Sequence, residues 1–487
     1  MSEPVVLVRR GAYHDSVTLM RVSRALSELP GVTAGMVAMA TELNVSILRD
    51  MGFQVPDAGP SDLVIAVRAD DAGPAVEEAE RLLTATAQPA GTAASEQPPL
   101  TTRSAAAREP AGLVLVSTPG EYAFFEALDA VEAGLPVMIF SDGVPVEQER
   151  RLKELAEAKD VLVMGPDCGT AVIAGAGLGF ANVLSPGPVG VVAASGTGAQ
   201  QVTSLLDWAG VGVSHVLGVG GRDLSAEVGG LSTRRALRML DDDPATELIV
   251  LVSKPPSPEV ARSVAELPLR TPVVRALLGV NRPDAASRSA VAGPAAANPA
   301  AADPTAPDPT APDPTAPDLT APDLTGAAEE VLRALGRAVP EWPAWLAEPG
   351  PRPAAKTLKG LYAGGTLSAE AALLAGTGDF VDFGDDAYTR GRAHPMIDPT
   401  LRVETLSRAV ETDVVLMDVV LGHGADPDPA ASLAPAIART PATVVIALIG
   451  TRGDPQDVDR QAQAFREAGA SVFASNAQAA RHARSLL

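Results

Sequence analysis

The sequence predicts an α/β protein built on parallel sheets, and three observations predict it. Apolar runs of strand length alternate with helical patterns over 5–280 and again over 356–487. Several of these runs, such as 189–194 and 414–420, are strongly apolar, as strands buried on both faces are. Glycine clusters at 195–198, 220–221 and 364–365 directly follow apolar runs, where a parallel strand turns into the next element.

The bulk numbers bound the reading. A chain of 487 residues has room for about three domains. Its 46% hydrophobic content supplies a large core, with mean hydropathy +0.14. No apolar run approaches the ~18 residues needed to span a bilayer. The start MSEPVVLVRR lacks a charged-then-apolar leader pattern, so a cytoplasmic, membrane-free protein is expected. One cysteine, Cys168, excludes an internal disulfide and a cysteine metal cluster, and no metal site is expected. A net charge of −22 and 3% aromatics argue against nucleic acid as a partner. A small anionic substrate remains compatible, because local dipoles and single cations decide its binding.

Taken in order, 5–8, 32–40 and 63–67 read as strands, with helices over 17–29, 41–51 and 75–83. The first turn, 11–16, lacks the G-x-G-x-x-G spacing, and His14 there reads as a polar turn residue. Residues 85–110 are rich in Ala, Thr, Pro, Gly and Ser and read as an internal linker. Strands follow at 113–117, 137–140 and 161–164, with helices at 120–133 and 147–159. The turn Gly165-Pro166-Asp167-Cys168-Gly169-Thr170 sits at a strand's carboxyl end, so Asp167, Cys168 and Gly169 are candidates for substrate or CoA contact. Cys168 has no basic neighbour in sequence to lower its pKa, which favours packing over nucleophilic chemistry.

The central candidate is Ser195-Gly196-Thr197-Gly198, between a strand at 189–194 and a helix. Ser195 or Thr197 can cap that helix, and its N–H groups and dipole favour an anion. The next strand, 213–219, ends in Gly220-Gly221-Arg222-Asp223. Two such turns on successive strands mark where open α/β sheets hold ligands. A plain βαβ unit with tight turns is the alternative. The strand at 247–252 ends in Ser253-Lys254, and Lys254 is either an anion ligand or a solvated surface lysine. After a last strand at 272–279, residues 281–326 contain the repeat DPTAP, DPTAP, DPTAP, DLTAP, DLT and read as a linker. Residues 327–355 hold a short helix and Trp342-Pro343-Ala344-Trp345.

From 356 a second α/β pattern begins. A strand at 359–363 leads into Gly364-Gly365-Thr366, and 379–383 leads into Gly384-Asp385-Asp386. Arg392, His394 and His423 also stand in loops after apolar runs. Either histidine is a candidate general base, since imidazole titrates near neutrality; a structural role is the alternative.

The stretches GAYHDSVTLM, MGPDCGTAVIAG, GVGGRDLSAEVGG, VSKPP, GLYAGGTLSAEA and GRAHPMIDPTLR resemble the FdrA family. That family is related to the NDP-forming acyl-CoA synthetases, whose best known member is succinate–CoA ligase. The resemblance implies a Rossmann-like, CoA-binding-type domain over 1–185, interrupted at 85–110, and a flavodoxin-like ligase domain over 186–280. It implies a second flavodoxin-like domain, of the ligase β-subunit type, over 356–487. It implies anion-binding helix N-termini facing each other across the cleft, one after Ser195–Gly198 and one near Gly384-Asp385-Asp386. In activity it implies a subunit of an oxamate carbamoyltransferase in allantoin catabolism. Companion subunits would complete it, carbamoyl phosphate or phosphate would be substrate, and nothing would be bound covalently.

The departures bear on function. The ligase's phosphorylated histidine lies on a loop that here opens into Val280-Asn281-Arg282-Pro283, with no histidine between His215 and His394. Where the ligase places a glutamate, Ser253-Lys254 stand instead. No ATP-grasp pattern precedes Lys356. Carbamoyl transfer is therefore the first expectation. An acyl-CoA synthetase component served by an ATP-grasp partner is the second, and a non-catalytic scaffold the third.

Overall fold

The computed structural model describes residues 4–86, 99–108, 110–279, 319–348, 355–390 and 392–487. The described residues form four sheets of three, three, seven and six strands. The expected segment 280–283 and the DPTAP units up to 318 lie outside the described residues.

The first sheet corrects the expectation of a Rossmann-like start. Its order is Pro4–Arg9, Leu63–Ala69, Val32–Met39, and the middle strand is antiparallel to both neighbours. The pattern is a βαβ unit split by an inserted antiparallel strand. Periodicity locates strands but not their direction, so the alternation was equally compatible with a parallel sheet. Helices Ser16–Ser27 and Gly73–Thr86 bury Leu19, Val22, Leu26, Ala75, Ala79 and Leu83 against one face. Asp15 caps the first helix by accepting from Thr18 N at 2.9 Å.

The next sheet is parallel: Val114–Val116, Val137–Ile139, Val163–Met164. The described part of the expected 85–110 linker departs from a plain linker. Thr102–Ala106 is a helix with a capping box, and Thr102 N donates to Glu126 at 3.2 Å.

The seven-stranded sheet runs Leu319–Thr320, Val273–Leu277, Leu248–Ser253, Pro186–Ala193 and Val213–Gly218 in parallel, then the antiparallel hairpin Thr170–Ile173 and Ala176–Gly179. Its edge corrects the expected linker end at 326. In the last two repeat units leucine replaces the first proline. Leu319 then has the N–H that proline lacks and joins a strand, while Leu324 opens helix Leu324–Ala334 and is fully buried. Asp323 caps that helix through Gly326 N at 2.7 Å.

The six-stranded sheet has the order Ala344–Trp345, Ser471–Phe473, Thr443–Ile449, Asp413–Val420, Thr357–Tyr362, Asp379–Asp382, parallel except for the first. It packs on the seven-stranded sheet's domain through one continuous core that includes Val202, Leu205, Tyr362, Leu367 and Ala371. Buried amide side chains lock the joint. Asn182 Nδ2 donates to Leu421 O at 3.0 Å and to Asp454 Oδ2 at 2.8 Å. Gln201 Nε2 donates to Ala474 O at 3.0 Å, and Gln201 Oε1 accepts from Asn476 N at 2.7 Å. Such fully paired buried polar groups fix one relative placement of the two domains.

Candidate functional site: a cleft between two glycine turns

Helix Gly196–Trp208 starts where expected. Ser195 is its cap: Oγ accepts from Gly198 N at 2.9 Å, and the residue is buried. A β-carbon on Gly198 would lie 2.7 Å from Ser195 Oγ, so the second glycine leaves room for the cap. Among the described residues, Gly196 N and Thr197 N make no hydrogen bond and stand at the positive end of the helix.

The helix facing it is not the one expected. The segment after Gly384 is a four-residue helix, Asp386–Thr389, capped by Asp385 through Ala387 N. Opposite Thr197 stands Gly364, where a β-carbon would lie 2.6 Å from Thr197 Oγ1. Gly364-Gly365-Thr366 open helix Gly365–Ala375, and Thr366 is buried in its first turn. The N-termini of the two long helices therefore meet at Thr197 and Gly364.

Charged groups surround this junction. A β-carbon on Gly365 would lie 2.9 Å from Lys254 Nζ and 2.3 Å from Asp382 Oδ2, so both charges reach the same point. Burial holds the Asp382 carboxyl above its usual range, against the lowering effects of the Gly384 N–H and Lys254. Asp167 faces Asp142 and Asp386 from two other loops. Asp167 is exposed at the surface, yet desolvation by the protein around it, then those two carboxylates, push its carboxyl up to about 7, against Lys254 and Arg222. Asp142 is raised too, by burial and by Asp386.

The glycines at 220 and 221 serve the turn that carries Asp167. A β-carbon on Gly220 would lie 2.4 Å from Pro166 O, and one on Gly221 would lie 3.8 Å from Asp167 Oδ2. Close packing and a φ of +89° thus explain Gly220, while Gly221 has room for a β-carbon.

Three expected contacts are corrected. Arg222 is engaged: it donates to Glu149 Oε2 at 3.0 Å and to Val144 O at 2.7 Å. Cys168 is fully enclosed, its Sγ beside Gly218, and burial pushes its thiol up to about 12. His394 is a weak base, because burial and then Arg402 hold it down at about 4. Its Nδ1 accepts from Met396 N at 3.2 Å, which leaves Nε2 to carry the hydrogen, toward Gly384. Its ring stacks at 5.7 Å on Phe180 of the other domain. His423 is exposed, and its main chain bridges Ala181 across the domain joint. Gly169 O accepts from Phe180 N at 2.8 Å, and Arg392 is exposed near Thr389.

Residues the motif reading missed hold the site. Asp418 accepts from Ala363 N at 2.7 Å and Gly364 N at 2.8 Å, and Arg402 pairs with it at 3.1 Å. One aspartate inside the apolar run 414–420 was the available signal, since a buried carboxylate needs partners.

With this geometry in view, the relatives can be placed. The chain is 36% identical to the uncharacterized protein YahF of Escherichia coli, over 97% of this chain and 96% of that one.

The chain belongs to the YahF family.

Within this family chain, residues 361–486 match the CoA-ligase family, and residues 1–99 match the AllF heavy metal-associated domain. The α subunit 2 of ADP-forming succinate–CoA ligase from Archaeoglobus fulgidus is 28% identical over 29% of this chain and 49% of that subunit. The malate–CoA ligase α subunit of Methylorubrum extorquens is 26% identical over 32% and 55%. The chain thus spans about half the length of these ligase subunits. A dinucleotide-forming acetyl-coenzyme A synthetase of Ca. Korarchaeum cryptofilum aligns at TM-score 0.33 and 16% identity, over 78% of this chain and 83% of that one. The chain is CoA-ligase-like and related to succinate–CoA ligase α subunits.

The heavy-metal description does not fit the residues present. Such ions take clustered thiolates or imidazoles. Residues 1–99 contain no cysteine and one histidine, His14. Among the described residues no group of three or more His, Cys, Asp or Glu is arranged to hold a metal. No helix of the described residues is long and apolar enough to cross a membrane.

Proposed function

We propose that the cleft transfers a carbamoyl group between oxalurate and phosphate, as an FdrA-type oxamate carbamoyltransferase subunit working with companion subunits. The observation that carries this reading is Lys254 at the junction of two helix N-termini, a place suited to a ready-made anion. Phosphate oxygen attacks the carbamoyl carbon of oxalurate. The bond from that carbon to the oxamate nitrogen breaks, and the nitrogen takes a proton. Carbamoyl phosphate and oxamate leave.

Gly196 N, Thr197 N and Lys254 hold the phosphate and stabilise charge as it develops. Asp167, at about 7, is the proton donor; a histidine held at about 4 is protonated too rarely. His394 Nε2–H serves as a hydrogen-bond donor, and Asp382 and Asp386 accept from the N–H groups of the ureido substrate. FdrA resemblance and the AllF description of the first domain support the same substrate class.

A second reading, an acyl-CoA synthetase component with an ATP-grasp partner, is favoured by the CoA-ligase match. CoA's pyrophosphate would need an open glycine turn in the 110–164 domain. The candidate there, Gly120, is packed: a β-carbon would lie 2.1 Å from Asp142 O.

The test is to purify the chain with its co-expressed neighbours and run two assays. One follows carbamoyl phosphate from oxalurate and phosphate; the other follows thioester formation from CoA, ATP and succinate. Activity in the first supports the proposal, and activity confined to the second rejects it.

A further inference from the structure

The N-terminal domain offers no clustered thiolates or imidazoles for a metal, yet it is docked on the six-stranded domain through a charged side chain. Arg24 projects from helix Ser16–Ser27 and is 18% exposed. Its Nη1 lies 2.8 Å from Asp426 Oδ2 and also donates to Ile397 O, while Nη2 donates to Ser432 Oγ at 3.3 Å. Nε stays with Glu28 of its own helix at 2.9 Å.

Asp426 and Arg402 hold neighbouring carbonyls of one loop, Asp426 N donating to Met396 O at 2.8 Å and Arg402 Nη2 to Pro395 O at 3.0 Å, which sets them in one buried row of alternating charge. The Asp426 side chain is 6% exposed, and both it and Asp418 favour the charged form of Arg402. Arg402 is 4% exposed and donates through Nη1 to Asp418 O at 2.6 Å and to Asp418 Oδ1 at 3.1 Å. Its Nε is buried and unpartnered among the described residues. Asp418 in turn holds Ala363 N and Gly364 N, the turn that faces Thr197. The row Arg24, Asp426, Arg402, Asp418 is neutral as a whole. Without Arg24 it has an excess negative charge in a dry place, and Asp426 competes with Asp418 for the one remaining guanidinium.

We infer that Arg24 is a positioning residue for the 363–364 turn: docking of the N-terminal domain neutralises Asp426 and leaves Arg402 committed to Asp418. The domain thereby sets one wall of a cleft it does not line with Arg24 itself. Tyr13, on the loop before the same helix, lies 3.4 Å from Ser117 Oγ of the 110–164 domain, so the N-terminal domain touches both neighbours of the cleft.

The experiment is amide hydrogen exchange of the intact chain, read at residues 363–364, and it needs no assigned reaction. R24Q is expected to speed exchange there on the order of 10-fold. R24K keeps the charge and is expected to stay near wild type. The double variant R24Q/D426N removes both charges, leaves Arg402 to Asp418, and is expected to return to wild-type protection. A merely structural docking role would not be rescued this way, because the contact stays lost. Unchanged exchange in R24Q overturns the inference, and so does a double variant as fast as R24Q. If R24Q fails to fold, the double variant is expected to fold, and its failure overturns the inference too.

Discussion

Thr197 and Gly364 meet head to head across two domains, at a distance that only a residue without a β-carbon at 364 allows. The backbone at Gly364 has φ −112°, so conformational freedom is not what glycine supplies. It supplies space.

Gly364→Ala is therefore expected to push the helix starts apart. Overpacking of this kind costs about 1–3 kcal/mol. Thermal unfolding of the variant is expected to fall, and Thr197→Gly in the same chain is expected to recover most of the loss. A Gly364→Ala chain as stable as the parent would refute the close contact.

Lys254 is exposed, and no salt bridge of 4 Å or less holds it among the described residues. Lys254→Ala is expected to weaken phosphate binding about 10-fold or more, since a charged hydrogen bond contributes ~1.5–3 kcal/mol. The unfolding temperature is expected to stay nearly constant. Calorimetric titration with inorganic phosphate reads the first effect; unchanged affinity removes Lys254 from the anion site.

His394 titrates at about 4 in the fold against 6.5 for the free side chain, because burial and then Arg402 disfavour its cation. The unfolded chain binds the extra proton first. Stability from this residue is thus full above pH 6.5 and lost as pH falls toward 4, by an amount of ~3 kcal/mol. Nitrogen-15 imidazole spectra are expected to show the Nε2–H tautomer throughout pH 5–8. A midpoint near 6.5 would contradict this.

Lys153 Nζ lies 2.8 Å from Glu149, 2.8 Å from Asp223 and 3.0 Å from Val219 O, and all three side chains are buried. Asp223 also caps helix Leu231–Asp242 through Ser232 N and Thr233 N. Lys153→Met takes the shared cation from two buried carboxylates, leaving Glu149 with Arg222 and Asp223 with its helix N–H groups, and is expected to cost about 3–5 kcal/mol. Urea unfolding followed in the 110–279 region measures it; a loss below ~1 kcal/mol would mean the carboxylates find other partners.

How much of this was legible beforehand differs by residue. Ser195 as a cap and the glycine turn at 364–365 followed from local chemistry, since both act within four residues. The antiparallel insertion of Leu63–Ala69 did not, because side-chain periodicity is the same for either strand direction. Arg222 read as an anion ligand at a glycine turn, and Lys153 stands in the expected helix at 147–159; apart from Glu149, four residues from Lys153, their partners stand 66 to 78 residues away. The cleft's facing helix was misplaced by about twenty residues, because two glycine turns in one domain look alike until the sheet order puts one of them opposite Thr197.

The buried amide joint formed by Asn182, Gln201, Asp454 and Asn476 has a consequence for how the chain is connected. Its contacts run directly between side chains and backbone of the two domains and owe nothing to the peptide that links them. The covalent connection raises local concentration, while recognition resides in the surfaces. In kind this is a subunit-like contact made within one polypeptide, between the seven-stranded sheet, which takes its edge strand from Leu319–Thr320, and the six-stranded sheet.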